Sequence, residues 1–535
     1  MTLSPDSFLA SQTLVAPESF HVYDTTLRDG AQQEGLRLSV ADKLKIASYL
    51  DEFGVGFIEG GWPGANPGDT AFFEAMRNGE LTLKHALLSA FGFTRRVGRN
   101  AADDPMIAAV RDSGAPVACL VAKSHPRHVE HALRTTLQEN LAMIADTVGH
   151  LVAEGQRVFL DCEHFFDGYR TDRAYALEVV RTAAEAGAEV VVLCDTNGGM
   201  LPSWMPDIVG DTAEIGVDLG IHCHNDSGCA VANTLAAVEA GAVHVQGTIN
   251  GYGERTGNAD LLQVVANLEL KYGWEVIPPG ALVEATRISH AIAAVTNSPG
   301  TPRQPYVGSS AFAHKAGLHA SAIRVDPMLY QHIDPALVGN DMRTLVSDMA
   351  GRANIQLKGE ELGFDLSDRE LAARITDAVK EREAAGYSYE AADASFELLL
   401  REQTDQLPRP FDVEHWRVYT HSLGTDETDT EATVKLTAHG IDRLFVGEGN
   451  GPVNALDHAL RRALADAYPQ VSCYELTDYR VRILDQGHGT DAIVRVLIDT
   501  TDGERNWTTV GVGTNVIEAS WEALSDAYFY GLITE

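Results

Sequence analysis

Within DTTLRDGAQQEG (24–35), Arg28 sets a planar cation beside the hard oxygen donor of Asp29. The guanidinium offers a fork of N–H donors to an oxyanion, and the carboxylate can ligate a divalent cation. A surface ion pair is the alternative reading of two such neighbours. Further along, HCHND (222–226) spaces two histidines by two residues. On a strand, residues two apart share a face, so His222 and His224 point together and Cys223 packs on the other side. A pair of imidazoles suits Mn, Zn or Fe, and oxygen ligands also admit Mg. The glycine-rich stretch GTINGYGERTGNAD (247–260) brings Glu254 and Asn258. Asn258 either adds a carbonyl oxygen to a metal set or caps a helix.

These groups need a scaffold that gathers them. Eight short apolar runs recur, centred near Val22, Phe57, Leu88, Cys119, Phe159, Val191, Ile221 and Val245. Helix-like segments such as 41–53 and 172–186 fill the gaps, which is the rhythm of repeated βα units. The fold class expected is α/β, a (β/α)8 barrel over 17–296. Loops at the C-terminal ends of its strands would carry the chemistry. Asp29, His222, His224 and Asn258 then come from strands one, seven and eight, which become neighbours when the barrel closes. Four mixed nitrogen and oxygen ligands leave positions at an octahedral ion for a bidentate substrate, and a 2-oxo acid is one that chelates, through its keto and carboxylate oxygens.

Past the barrel, NSPGTPRQPYVGSSAF opens a linker and helical subdomain over 297–405, and QLPRP precedes an α+β domain over 410–535. The last region repeats itself. VGEGNGPVNALDHAL (446–460) laid over VGVGTNVIEASWEAL (510–524) matches Val446 with Val510, Gly447 with Gly511, Gly449 with Gly513, Ala455 with Ala519, Ala459 with Ala523 and Leu460 with Leu524. A strand, Gly-loop and helix unit occurs twice. Each loop is expected either to offer backbone N–H groups to a carboxylate or to be a tight turn requiring positive φ.

A formal charge of -35 on 535 residues repels phosphate backbones and anionic lipid, which argues against nucleic-acid and membrane partners. An anionic ligand would need local cations; Arg95, Arg96 and Arg99 are candidates, with a solvated surface role as the alternative. Six cysteines without a CxxC pair fit a reducing cytoplasm. With no stretch of eighteen apolar residues and no basic-then-apolar leader, neither export nor a membrane span is expected.

In LRDGAQQEG, HCHND and GYGERTGN, the chain resembles the metal-dependent Claisen-condensing family of 2-isopropylmalate, homocitrate and citramalate synthases over nearly its whole length. The resemblance implies Asp29, His222, His224 and Asn258 as ligands of a divalent ion (Mn, Mg or Zn), and Arg28 as the group that stabilises the developing alkoxide or enolate. It also implies Glu163 in LDCEHFFDGY as the active-site carboxylate, Asp161 and Thr196 as substrate-lining residues, and His319 with Tyr330 as an acid/base pair in the helical subdomain. Acetyl-CoA is the implied cosubstrate. GGWPGANPGD (60–69) is more similar to the branch that accepts pyruvate, giving (R)-citramalate, than to the branch that accepts 2-oxoisovalerate. The C-terminal repeat is similar to the family's allosteric domain, which implies isoleucine as effector and a homodimer.

Two rivals stand beside this reading. Acyl-CoA lyases on the same barrel carry a reactive cysteine in the loop after strand eight, and 247–260 contain none. A catalytically dead barrel bearing an amino-acid-binding domain would not need Arg28, Asp29, His222 and His224 intact.

Overall fold

The computed structural model describes residue 17 and residues 19–346, 352–422, 428–484 and 492–534. The chain divides into two units: residues up to Phe312 with Ile333–Asp341, and Ala313–His332 with residues from Met342 onward.

The first unit is a closed barrel of eight parallel strands in chain order. They are β1 (His21–Asp24), β2 (Phe57–Glu59), β3 (Leu87–Phe93), β4 (Val117–Lys123), β5 (Arg157–Glu163), β6 (Val190–Asp195), β7 (Asp218–Cys223) and β8 (His244–Gly247). All eight apolar runs form these strands. Closure is made by β1 on β8, from His21 opposite His244 to Asp24 opposite Gly247.

Both faces of each strand are covered, which is why the strands read as continuous apolar runs rather than alternating ones. In β6, Val190, Val192 and Cys194 face the barrel interior while Val191 and Leu193 join the layer under the helices. Tyr23, Phe57, Phe159 and His244 fill the interior with rings 5.2–6.3 Å apart. The barrel is therefore a packed core, with its cavity at the C-terminal mouth.

Local signals start the helices. Ser39 and Asp42 form a reciprocal capping box at Val40–Phe53, Asn66 caps Pro67–Arg77, and Thr136 caps Leu137–Ala153. No helix among the described residues is long and apolar enough to cross a membrane.

The second unit begins with a short parallel pair, β9 (Ala313–His314) and β10 (Arg343–Thr344), within a stretch expected to be linker and helix. The helices Arg352–Glu361, Arg369–Ala384 and Asp393–Gln403 follow. Two antiparallel sheets then repeat one plan: β11 (Phe411–Ser422), β12 (Thr428–Ala438) and β13 (Ile441–Gly449) with the helix Pro452–Leu464, then β14 (Glu475–Ile483), β15 (Val494–Thr501) and β16 (Asn506–Gly513) with the helix Val516–Ile533.

The duplication read from sequence is real, but its glycines do not sit in tight turns of positive φ. Gly447 and Gly449 belong to β13, Gly511 and Gly513 to β16, and none has positive φ. A Cβ on Gly447 would meet Ala459 N at 2.4 Å and Ala455 O at 2.5 Å; one on Gly511 would meet Ala519 O at 2.0 Å. The Gly447 and Gly511 match and the alanine matches are one device, letting helix backbone lie directly on strand backbone.

Candidate active site

A cavity of about 910 Å³ opens at the barrel mouth, and its lining includes Arg28, Asp29, Asp161, Glu163, Thr196, His222 and His224. Each arrives at or just beyond the end of a strand. Asp29 follows the turn after β1, Glu163 ends β5, Thr196 follows β6, and His222 is the last residue but one of β7.

Asp29, His222 and His224 bring one donor atom each to within 4.8 Å of one another. His222 Nε2 is 3.3 Å from Asp29 Oδ2, and the two imidazole centroids are 5.2 Å apart. Just past β7, His224 pairs with Asn258 in an isolated antiparallel bridge, which brings the loop after β8 against the histidines. The Asn258 amide nitrogen donates to Tyr252 O at 2.9 Å. Asn258 Oδ1 and His224 Nδ1 are buried without a hydrogen-bond partner. Unsatisfied buried lone pairs are costly, and a cation is the partner that two imidazoles, a carboxylate and an amide oxygen would share. The donor set fits a divalent ion. Cys223 faces away into the layer under the helices, as the strand alternation requires.

Arg28 is anchored from three sides. Its Nη1 lies 3.1 Å from Asp29 Oδ2, its Nε donates to Glu59 Oε2 at 2.5 Å, and its guanidinium lies 4.1 Å from the Phe91 ring centroid. Glu59, fully buried at the end of β2, also accepts from Tyr23 Oη at 2.9 Å. Burial alone would raise the Asp29 carboxyl, but Arg28 and the two histidines hold it well below the usual carboxylate range. Burial, then the charge of His222, lowers His224 to about 4. For His222 burial works the other way from Asp29, whose hydrogen bond and charge win and raise it. Burial, reinforced by Glu59, pushes Asp161 up to about 6.

Glu163 forms an ion pair with Lys123 at the end of β4. Thr196 Oγ1 accepts from the backbone N–H of His164 at 2.8 Å. Asp161 accepts from Gln246 Nε2 at 3.0 Å and from Cys119 Sγ at 3.3 Å. His319 and Tyr330 lie in the second unit, where their rings stack with centroids 4.0 Å apart.

Arg95 is not available to an anion: it is buried and paired with Glu139 at 2.8 Å and Asp146 at 2.6 Å. Glu59, Lys123 and Gln246 were missed by motif reading. The available signal was a charged or amide residue at the C-terminal end of an apolar run, in GFIEG, LVAK and HVQG.

Three family matches tile the chain: HMGL-like over residues 19–291, homocitrate synthase post-HMGL domain-like over 306–386, and LeuA allosteric (dimerisation) domain over 390–532. The chain belongs to the HMGL-like family. Within it the chain groups with citramalate synthases of the LeuA and homocitrate synthase branch. The (R)-citramalate synthase of Streptomyces coelicolor is 65% identical over 96% of this chain and 97% of its own. That of Aquifex aeolicus is 47% identical over 97% and 98%. The 2-isopropylmalate synthase of Lysinibacillus sphaericus is more distant, at 30% identity over 96% and 98%.

Proposed function

We propose that this chain condenses acetyl-CoA with pyruvate and hydrolyses the resulting thioester, releasing (R)-citramalate and CoA. The observation that carries the reading is the convergence of Asp29, His222 and His224 on the barrel cavity, with Asn258 Oδ1 buried and unpartnered beside them. Asp29, His222, His224 and Asn258 would hold a divalent ion (Mn, Mg or Zn). When bound, that ion supplies a Lewis acid to the keto oxygen of the 2-oxo acid.

The chain's own groups do the rest. Arg28, pinned between Asp29 and Glu59, presents its remaining N–H donors to the oxygen on which negative charge develops. Asp161, Glu163 and Thr196 line the space for the 2-oxo acid. His319, stacked on Tyr330, takes a methyl proton from acetyl-CoA. The methyl carbon forms a bond to the keto carbon, the keto oxygen becomes a hydroxyl by gaining a proton, and water cleaves the thioester to free the CoA thiol. The branched acid serves isoleucine synthesis.

The same reading divides the chain into a catalytic barrel (17–296), a linker with helical subdomain (297–405) and an allosteric domain (410–535) that takes isoleucine and pairs two copies as a homodimer. The match of 390–532 to an allosteric dimerisation domain supports it. All six cysteines are free, which supports a cytoplasmic location.

The test is thiol release from acetyl-CoA with Mn²⁺ and a series of 2-oxo acids. Pyruvate is expected to exceed 2-oxoisovalerate in kcat/KM by about tenfold or more, the scale on which added methyl groups are discriminated. A preference for the branched acid overturns the substrate, and no turnover with any 2-oxo acid overturns the reaction.

A further inference from the structure

Behind His222, away from Asp29, lies a polar side chain on the neighbouring strand. Gln246 of β8 stands opposite His222 in the β7–β8 register, and its Oε1 is 2.8 Å from His222 Nδ1. Its other end, Nε2, donates to Asp161 Oδ1 at 3.0 Å. Gln246 and its partners are buried: Gln246 itself has no exposure, and Asp161 and His222 have 3% and 4%.

We infer that Gln246 is a positioning residue that selects the His222 tautomer able to ligate a cation. The inference rests on the metal-site reading above. An amide has one accepting and one donating end, and an ionised carboxylate only accepts. Asp161 therefore claims the amide nitrogen; the flipped amide would set two oxygens 3.0 Å apart with no proton between them. The amide oxygen must then face His222, so Nδ1 carries the hydrogen. A neutral imidazole has a single N–H, which leaves Nε2 with its lone pair bare toward Asp29 Oδ2, 3.3 Å away. Two lone pairs facing each other repel unless a cation or proton lies between them. The chain Asp161–Gln246–His222 thus prepares a ligand nitrogen, as hydrogen-bond partners behind metal-bound histidines commonly do.

The geometry also explains why an amide, rather than a second carboxylate, stands at 246. Asp161 already brings a negative charge into this pocket, with fully buried Glu59 further along the same cluster. A neutral relay passes orientation from Asp161 to His222 without adding a third anion.

The experiment is Mn²⁺ binding by calorimetry to the full chain without substrate, at pH 8, for the parent, Gln246→Met and Gln246→Glu. Methionine keeps the length and removes both hydrogen bonds, and its variant is expected to bind Mn²⁺ about 10–100-fold more weakly. Glutamate keeps an oxygen toward His222 Nδ1 and, with a proton held between its other oxygen and Asp161 as two adjacent carboxylates require, repeats the relay, so its variant is expected to stay within about threefold of the parent or to bind more tightly. Parent-like affinity in folded Gln246→Met overturns the inference. Should that variant not fold, a loss of tenfold or more in folded Gln246→Glu overturns it independently. A parent chain that binds no Mn²⁺ overturns the metal-site reading itself, and the inference with it.

Discussion

In the loop after β8, Gly251, Gly253 and Gly257 have φ of 69°, 147° and 86°, and a Cβ on Gly257 would sit 1.9 Å from Gly251 O. In the C-terminal repeat, Gly447 and Gly511 lie in strands with no positive φ, and a Cβ there would strike the backbone of an overlying helix. The same residue type meets two demands. At the barrel mouth, glycine lets the chain fold back tightly enough to deliver the Asn258 oxygen beside His224. In the repeat, glycine lets a helix lie on a sheet. One use places chemistry and the other places mass, and a glycine-rich string in the sequence does not say which.

The comparison can be broken by changing each region and reading both. The largest effect is expected from His222→Ala, which removes a donor and should lower kcat on the order of a thousandfold while circular dichroism stays that of the parent. Full turnover would remove His222 from the ligand set.

Gly257→Ala is expected to cost about a hundredfold in kcat/KM, because the loop must shift by an ångström or so and takes Asn258 with it. Mn²⁺ affinity should fall alongside, and unchanged affinity would separate this loop from the metal site.

The counterpart, Gly511→Ala, should leave Mn²⁺ affinity unchanged. It should instead destabilise the second unit by about 1–3 kcal/mol through overpacking against Ala519, seen as an earlier transition in thermal unfolding. Were metal affinity to drop as well, the division of labour between the two glycine sets would fail.

The smallest effect sharpens the barrel side alone. His224, held near 4, is already neutral across the ordinary working range, whereas His222 is raised by Asp29 against the effect of burial. Below the raised range of His222, a cation must therefore displace a proton from that imidazole and none from His224. Apparent Mn²⁺ affinity should fall as pH drops below the ordinary histidine range, and an affinity that stays level until about pH 4 would contradict the raised His222.

Much of the barrel mouth was legible without coordinates because its signals are local. An apolar run ending in a charged or ligating residue marks the C-terminal end of a barrel strand, and a spacing of two puts His222 and His224 on one face. The relay through Gln246 was not legible. Its residue is an unremarkable polar interruption in VHVQGT, and its meaning depends on the register that sets it opposite His222 and within reach of Asp161. The ion pair of Glu163 with Lys123 likewise depends on the register that sets the ends of β4 and β5 opposite each other. The repeat was legible as a repeat, yet its cause was misjudged, since close helix-on-strand contact and a tight turn both ask for glycine.

Sequence by itself determined the number and order of the barrel strands, the duplication at the C-terminal end, and the residue types that meet at the mouth. Each of these is written in periodicities of a few residues, where backbone geometry leaves few choices. Only tertiary structure decided which nitrogen of His222 faces Asp29, which oxygen lacks a partner, and why the repeated glycines are small. Those outcomes turn on distances between segments tens to hundreds of residues apart, which the closing of the barrel and the seating of the helices set.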